Sequence, residues 1–320
     1  MSTNYIIVVL GEPYSVFSEI VGKYFKKKKK FKKKIILIGN IKLLKKQLNK
    51  LNHNIYLNEI NELKQAKKNI INIININFNF KKTFDKISSF SNRYIENCFC
   101  KFLDIIDNNK GKFILINGPI SKKTFLKKKY SGITEYLSNK TKSKNETMLI
   151  YNEHFSVSPL TTHIPIKKVA KQLNKPKINK KVLLLNEFYK NILKMKLKCA
   201  ILGLNPHCET TDKYSEEDKI ITPCIKYLKN KGISVDGPFS ADTFFMKKNI
   251  KKYNLIIGMY HDQVLTPIKT LFNFNAINIT VGLPFVRISP DHGPNSEMLG
   301  KNKSDPSSFL YAMKFIENLH

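Results

Sequence analysis

The chain has 320 residues, 42 % of them hydrophobic, and a formal net charge of +32. This length and apolar content suit one large α/β domain or two joined lobes with a sizeable core. No run approaches the ~20 consecutive apolar residues of a membrane span, and no basic segment precedes the short apolar run near Met1, so neither a membrane protein nor a secreted one is expected.

The predicted elements alternate along the chain. Strands are expected over 5–10, 35–38, 69–78, 113–117, 147–151, 199–204, 254–259 and 276–280. Helices are expected over 15–25, 41–51, 93–108, 180–196, 216–230 and 306–319. Alternation of this kind predicts an α/β sheet covered by helices. Lys26 to Lys34 holds eight lysines around Phe31 and reads as a solvated helix end and loop. The segment 69–79, NIINIININFN, reads as a β-branched strand that would be prone to aggregate if exposed.

The positive charge does not by itself point to nucleic acid. All but two of the 56 basic residues are lysine; Arg93 and Arg287 are the exceptions. Lys, Asn and Ile are all plentiful, as expected of AT-rich coding drift, whereas readers of bases and phosphates rely on Arg forks. The five cysteines form no CxxC pair, which fits isolated reduced thiols in a cytoplasm and excludes zinc-finger spacing.

The densest chemistry lies beyond residue 110. Three of seven histidines sit where a strand should end and a polar loop begin: His163 in TTHIP, His207 in GLNPH and His261 in MYHDQ. Ligands of open α/β sheets collect at the carboxyl ends of strands, and three imidazoles with an open position form a catalytic metal site. His53, His154 and His320 lack such a setting and read as surface or packing residues. A second cluster, 278–301, gathers Asn278, Arg287, Asp291, His292 and Gly293. In a chain that nearly always uses Lys, Arg287 offers what Lys cannot, a planar bidentate fork for a carboxylate or phosphate, although a structural ion pair is the alternative. GPFSADTFF contributes Asp242, and INGPISKKTF contributes Ser121 and Lys122 beside a helix start, a place that suits an anion. Neither a Walker motif nor GxGxxG is present.

Taken in order, GEP (11–13), NGPISK, GITE (132–135), TTHIP, GLNPH, GPFSADT, MYHDQ, NITVGLPFVR and DHG resemble the 4-hydroxythreonine-4-phosphate dehydrogenase family. The likeness is dense from residue 199 onward and rests before residue 110 mainly on GEP. It implies a three-layer α/β/α fold of the isocitrate/isopropylmalate dehydrogenase type. The expected organisation is a first lobe of 1–135 with 290–320 and a second lobe of 136–289, which holds the metal ligands and dimer contacts. The resemblance implies a homodimer with its active-site cleft between subunits. It also implies a divalent metal (zinc, magnesium or cobalt) on His163, His207 and His261 that one subunit alone does not complete. Substrate contacts carry over to Thr134, Lys269, Asn278 and Arg287. His292 and Gly293 are expected neighbours of NAD or NADP, and Asp242, Asp262, Asp291 and Lys122 are candidates for orienting histidines or relaying protons. The implied reaction is oxidation of 4-hydroxythreonine 4-phosphate to a β-keto acid that decarboxylates to 3-amino-2-oxopropyl phosphate, within pyridoxal phosphate biosynthesis.

The chain departs from the family pattern at Ile133 and Ser121, where His is usual, at Tyr14 to Phe17 after GEP, and at Pro294–Asn295 after DHG. Ile133 cannot donate a hydrogen bond, so one substrate contact is lost. This keeps open a sister activity on threonate or erythronate 4-phosphate. A binding protein that has lost catalysis is a third reading, against which the intact histidine trio argues.

Overall fold

The computed structural model describes residues 5–28, 30–111, 113–126, 129–130, 132–209, 214–272, 275–290 and 293–319. The chain divides into two compact units, 1–143 with 283–320, and 144–282.

The first unit begins with β1 (Tyr5–Val9), α1 (Phe17–Lys27), β2 (Lys34–Gly39), α2 (Ile41–Lys50), β3 (Leu57–Glu59) and β4 (Ile71–Asn75). It continues through α3 (Asn92–Asp107), β5 (Ile114–Asn117) and α4 (Ile133–Lys140). The second unit contributes β6 (Thr147–Tyr151), β7 (Ser156–Thr161), α5 (Val169–Gln172), α6 (Lys175–Phe188), β8 (Cys199–Leu202) and α7 (Thr222–Asn230). It closes with β9 (Val235–Phe239), α8 (Ala241–Phe244), α9 (Lys247–Ile250), β10 (Leu255–Tyr260), α10 (His261–Phe272) and β11 (Ile277–Val281). The chain then returns to the first unit as β12 (Val286–Ser289) and α11 (Ser307–Asn318).

Strands of the first unit run in the order β3-β4-β2-β1-β5-β12, every pairing parallel. A parallel sheet is covered on both faces, so its strands are apolar throughout. Ile7, Val9, Ile36 and Ile38 pack with Tyr94, Ile95, Phe99 and Phe102 of α3, while the alternate residues Ile6, Val8, Ile35 and Leu37 are just as deeply buried. On the helical side, α1 packs against α2 and α11, with Phe309 of α11 edge-on to Phe17 and Tyr24. His53 is buried, and a Cβ on Gly22 of α1 would lie 2.5 Å from its ring.

In the second unit the order is β11-β6-β7-β10-β8-β9. The first two pairings are antiparallel and the last three parallel. Helix α10 lays Val264, Leu265 and Ile268 over Ile150, Val157, Ala200 and Ile256, and α6 packs on β7, β11 and α7. Lys181 of α6 is half-buried and donates to Thr147 Oγ1, Ser158 Oγ and Pro159 O. Burial pushes its ammonium down to about 7.

Several sequence expectations need adjustment. The segment 69–78 forms a strand only over Ile71–Asn75. Asn72, fully buried, donates to the carbonyls of Ile35, Lys67 and Ile70 and accepts from Asn58 Nδ2 and Lys67 N. β7 was not anticipated, because SVSPLT carries two serines and a proline; Pro159 is tolerated because it lies past the Ile150↔Val157 pairing with β6. α10 was likewise missed, since Pro267 interrupts its pattern. The lysine-rich run ends α1 at Lys27 and leads into β2, with Phe31 buried. His154 stacks on Phe272, and His320 lies outside the described residues. Cys98, Cys199 and Cys224 are buried, Cys208 is half-buried and Cys100 exposed. Among the described residues no helix is long and apolar enough to cross a membrane.

Candidate active site

Three neighbouring parallel strands of the second unit, β7, β10 and β8, each deliver a histidine from their carboxyl ends. His163 follows β7, His261 is the first residue of α10 directly after β10, and His207 lies in the short turn Pro206–Cys208 after β8. Strands about 4.8 Å apart bring such residues onto one edge although they are distant in sequence. His163 and His207 hold left-handed backbone, with φ of 51° and 55°, and Cys208 follows at 59°. Side chains other than glycine pay for that conformation, and it concentrates at functional sites.

The His163 and His261 rings have centroids 6.0 Å apart. Imidazoles bind first-row divalent ions at about 2.1 Å, so two rings sharing one ion have centroids roughly 5–6 Å apart; the separation of this pair falls at the upper end of that range. His207 stands apart from it, with Nδ1 at 3.9 Å from Asp242 Oδ2. Among the described residues no three His, Cys, Asp or Glu side chains close on a common point. Within one chain the three histidines do not close on a common point: β8 lies a strand further from β7 than β10 does, and His207 turns toward Asp242 of α8, the short helix after β9.

The carboxylates near the histidines differ in setting. Asp262 Oδ1 lies 2.6 Å from His261 Nδ1 and can fix that ring's tautomer. Asp242 accepts from Ser240 Oγ at 2.5 Å and from Thr243 N at 2.8 Å. The Ser240 bond foremost holds its carboxyl below the usual range. Glu217, a residue the sequence did not single out, is buried and accepts from Leu204 N (2.6 Å), Asn205 N (2.9 Å), Asn205 Nδ2 (2.8 Å) and Ser215 Oγ (2.9 Å). Burial would raise its pKa, but these bonds together outweigh it and hold the carboxyl below its ordinary value.

Lys269 is exposed on α10, two turns beyond His261, and Asn278 is half-buried on β11 opposite Ile150.

The strand ends of the first unit carry a different set. Arg287 on β12 is buried, its Nε donating to Asn117 Oδ1 at 2.7 Å and its Nη1 to Thr134 Oγ1 at 2.8 Å. Two residues expected at the substrate thus meet each other. Burial pushes the guanidinium down to about 9, offset in part by Glu135. Ile133, beside Thr134, packs on the apolar core of this unit. Ser121 Oγ accepts from Thr124 N at 3.3 Å and so caps a turn, while Lys122 is exposed.

Glu12, quoted only as part of GEP, is 2 % exposed. Its carboxylate accepts from Ser91 Oγ (3.0 Å) and Tyr14 N (3.4 Å). Burial raises its pKa to about 7 against these bonds. Gly11 before it has φ 73°, and a Cβ there would lie 2.6 Å from Pro119 O, which explains the glycine of that turn. Val16 N donates to Pro294 O at 3.1 Å, joining the turn after GEP to the segment after DHG. Gly293 is exposed; Asp291 and His292 lie outside the described residues.

Comparison with known proteins accounts for these segments. The 4-hydroxythreonine-4-phosphate dehydrogenase of Sulfurihydrogenibium sp. (strain YO3AOP1) is 35 % identical over 316 residues, 97 % of this chain and 96 % of that protein. The D-threonate 4-phosphate dehydrogenase of Pectobacterium atrosepticum is 32 % identical over 191 residues, 59 % of either chain. A crystal structure of 4-hydroxythreonine-4-phosphate dehydrogenase from Klebsiella pneumoniae shares the fold with a TM-score of 0.84 at 24 % identity, covering 98 % of both chains. Isocitrate dehydrogenase from Methylococcus capsulatus shares it more distantly, with a TM-score of 0.50 at 9 % identity over 99 % of this chain and 85 % of that one. The fold is thus the three-layer α/β type expected from the sequence. The model of the family described as pyridoxal phosphate biosynthetic protein PdxA matches residues 31–316, and the chain belongs to that family.

Proposed function

We propose that this chain oxidises 4-hydroxythreonine 4-phosphate with NAD or NADP, giving a β-keto acid that loses carbon dioxide to leave 3-amino-2-oxopropyl phosphate on the route to pyridoxal phosphate. The observation that carries this reading is the placement of His163, His261 and His207 at the carboxyl ends of adjacent parallel strands, in a chain whose relatives are dehydrogenases. These histidines would hold a divalent cation such as zinc, magnesium or cobalt, with a second copy of the chain completing the site in a homodimer. When bound, such an ion supplies Lewis-acid chemistry, lowering the pKa of an alcohol and stabilising the charge that builds on oxygen as a β-keto acid decarboxylates.

The chain's own residues divide the remaining work. Arg287 and Lys269 bind the anionic groups of the substrate, with Thr134 and Asn278 adding neutral hydrogen bonds. A negative phosphate or carboxylate beside Arg287 would offset the burial penalty on its guanidinium. Asp262 orients His261 through Nδ1, and Asp242 stands close enough to His207 to steer its ring. The hydroxyl proton passes to Lys269, Asp242 or a bound water. His292 and Gly293, with Asp291 and Lys122 nearby in role, serve the nicotinamide cofactor and proton relay. The reaction belongs in the cytoplasm.

The test is to measure bound metal and NADH formation for the wild type and His207→Ala. Loss of both in the variant is expected, and undiminished NADH formation by a metal-free variant overturns the reading. Ile133 favours one second reading. It turns into the apolar core and offers no hydrogen bond where the family has an imidazole, so D-threonate 4-phosphate, the substrate named for the Pectobacterium relative, is the competing substrate. Comparing kcat/KM for the two phosphates decides between them.

A further inference from the structure

The histidine-bearing edge of the second unit is laced from beneath by side chains that do not reach the edge themselves. Thr161 Oγ1, two residues before His163, donates to Met259 O at 2.8 Å, two residues before His261. Met259 N donates to Gln263 Oε1 at 2.7 Å, and Gln263 Nε2 donates to Gly203 O at 2.8 Å, four residues before His207. Glu217 then takes the next two amides of that loop, Leu204 N and Asn205 N. Thr161, Gln263 and Glu217 are all buried.

The backbone ladder cannot do this by itself. Pairing of β10 with β8 runs Leu255↔Cys199, Ile256↔Ala200 and Ile257↔Ile201 and goes no further. Past Ile257 the two strand ends that carry His261 and His207 are joined through the Gln263 side chain. Its primary amide matches the two groups it meets, since Met259 N–H needs an acceptor and Gly203 C=O needs a donor, and one planar group supplies both. A glutamate would turn a lone pair toward Gly203 O, and a leucine would leave both backbone groups without a partner in a buried place. Gly258 keeps the space clear, because a Cβ there would come within 3.0 Å of Gln263 Oε1 and 2.5 Å of Val264 Cγ1.

We propose that Gln263 is a positioning residue for metal binding: it sets the spacing between the His261 and His207 segments without touching the ion. This rests on the reading of those histidines as metal ligands. The test is titration of the full-length protein with Co²⁺ ions, following affinity by calorimetry and the visible absorption bands of the bound ion, for wild type, His207→Ala, Gln263→Leu and Gln263→Glu. Groups that orient ligands from behind typically govern metal affinity by about 10- to 100-fold. Gln263→Leu is therefore expected to weaken Co²⁺ binding by that range and alter the bands, with the circular dichroism spectrum of the wild type retained. Should the leucine variant fail to fold, Gln263→Glu, which keeps the acceptor and loses only the donor to Gly203 O, is held to the same expectation. Wild-type affinity and bands in a folded Gln263 variant overturn the proposal alone. A wild type that binds no Co²⁺, or binds it as well without His207, overturns the metal reading and this proposal with it.

Discussion

In the first unit Glu12 and Arg287 are buried and their charges penalised, whereas in the second the histidines reach toward solvent and Thr161, Gln263 and Glu217 are buried behind them. Glu12 and Arg287 are each 2 % exposed, and burial moves each toward its neutral form. His207 is 74 % exposed in its side chain, above a Glu217 that is 2 % exposed. The difference teaches a division of labour. On the function proposed above, donors that would admit an ion are left open and held from below, while a group that would bind substrate charge gains strength from being desolvated, because electrostatic interactions deepen as water is removed.

Four substitutions break or sharpen that contrast. The largest effect is expected at the open edge. His261→Ala removes one of the two rings 6.0 Å apart and should lower NADH formation by about a thousandfold or more together with loss of bound metal; metal analysis and steady-state assay check it. Next comes Glu12. Its native pKa is raised from 4.5 to about 7, so between those values the native state holds more protons than the unfolded one. Stability should therefore fall as pH rises through that window, by on the order of 3 kcal/mol. Denaturant unfolding at pH 4.5 and pH 7.5 should show this slope in the wild type and its absence in Glu12→Gln. Arg287→Lys keeps the charge but loses the fork that spans Asn117 and Thr134, and should cost about 1–3 kcal/mol in binding the phosphorylated substrate. An unchanged KM would remove Arg287 from substrate binding. Smallest is Asp262→Asn: its carboxylate is 80 % exposed beside His261, and a loss of about tenfold in kcat/KM, with metal still bound, is expected.

Much of this contrast was legible in the sequence, though unevenly. The histidines could be placed at strand ends because apolar runs such as CAILGL and LIIGMY stop abruptly at polar loops, and β8 and β10 fall where expected. β7 escaped because its residues are chosen for contacts that only the fold supplies: Ser158 receives Lys181, and Thr161 reaches Met259. Arg287 stood out by rarity in a lysine-rich chain. Its burial against Asn117 and Thr134 did not, since those partners lie 170 and 153 residues away. Glu217 carried no local signal, and Gln263 entered only as the last residue of MYHDQ; an acidic residue in an amphipathic stretch and an amide after HD look like solvated surface until the strands are laid side by side.

Asn72 has a consequence of its own. The stretch around β4 is nearly a repeat of Ile and Asn, so on apolar content alone it could pair with β2 one or two residues out of step. A slip by one would turn its isoleucines to the opposite face. Only the observed alignment lets this one buried amide reach Ile35 O, Lys67 and Asn58 at once. Any shifted alignment strands a polar group in the interior, at about 1–3 kcal/mol for each unmet partner. A single side chain thus acts as a pin for a monotonous strand, and lets a stretch built almost entirely of two residue types keep one unambiguous register.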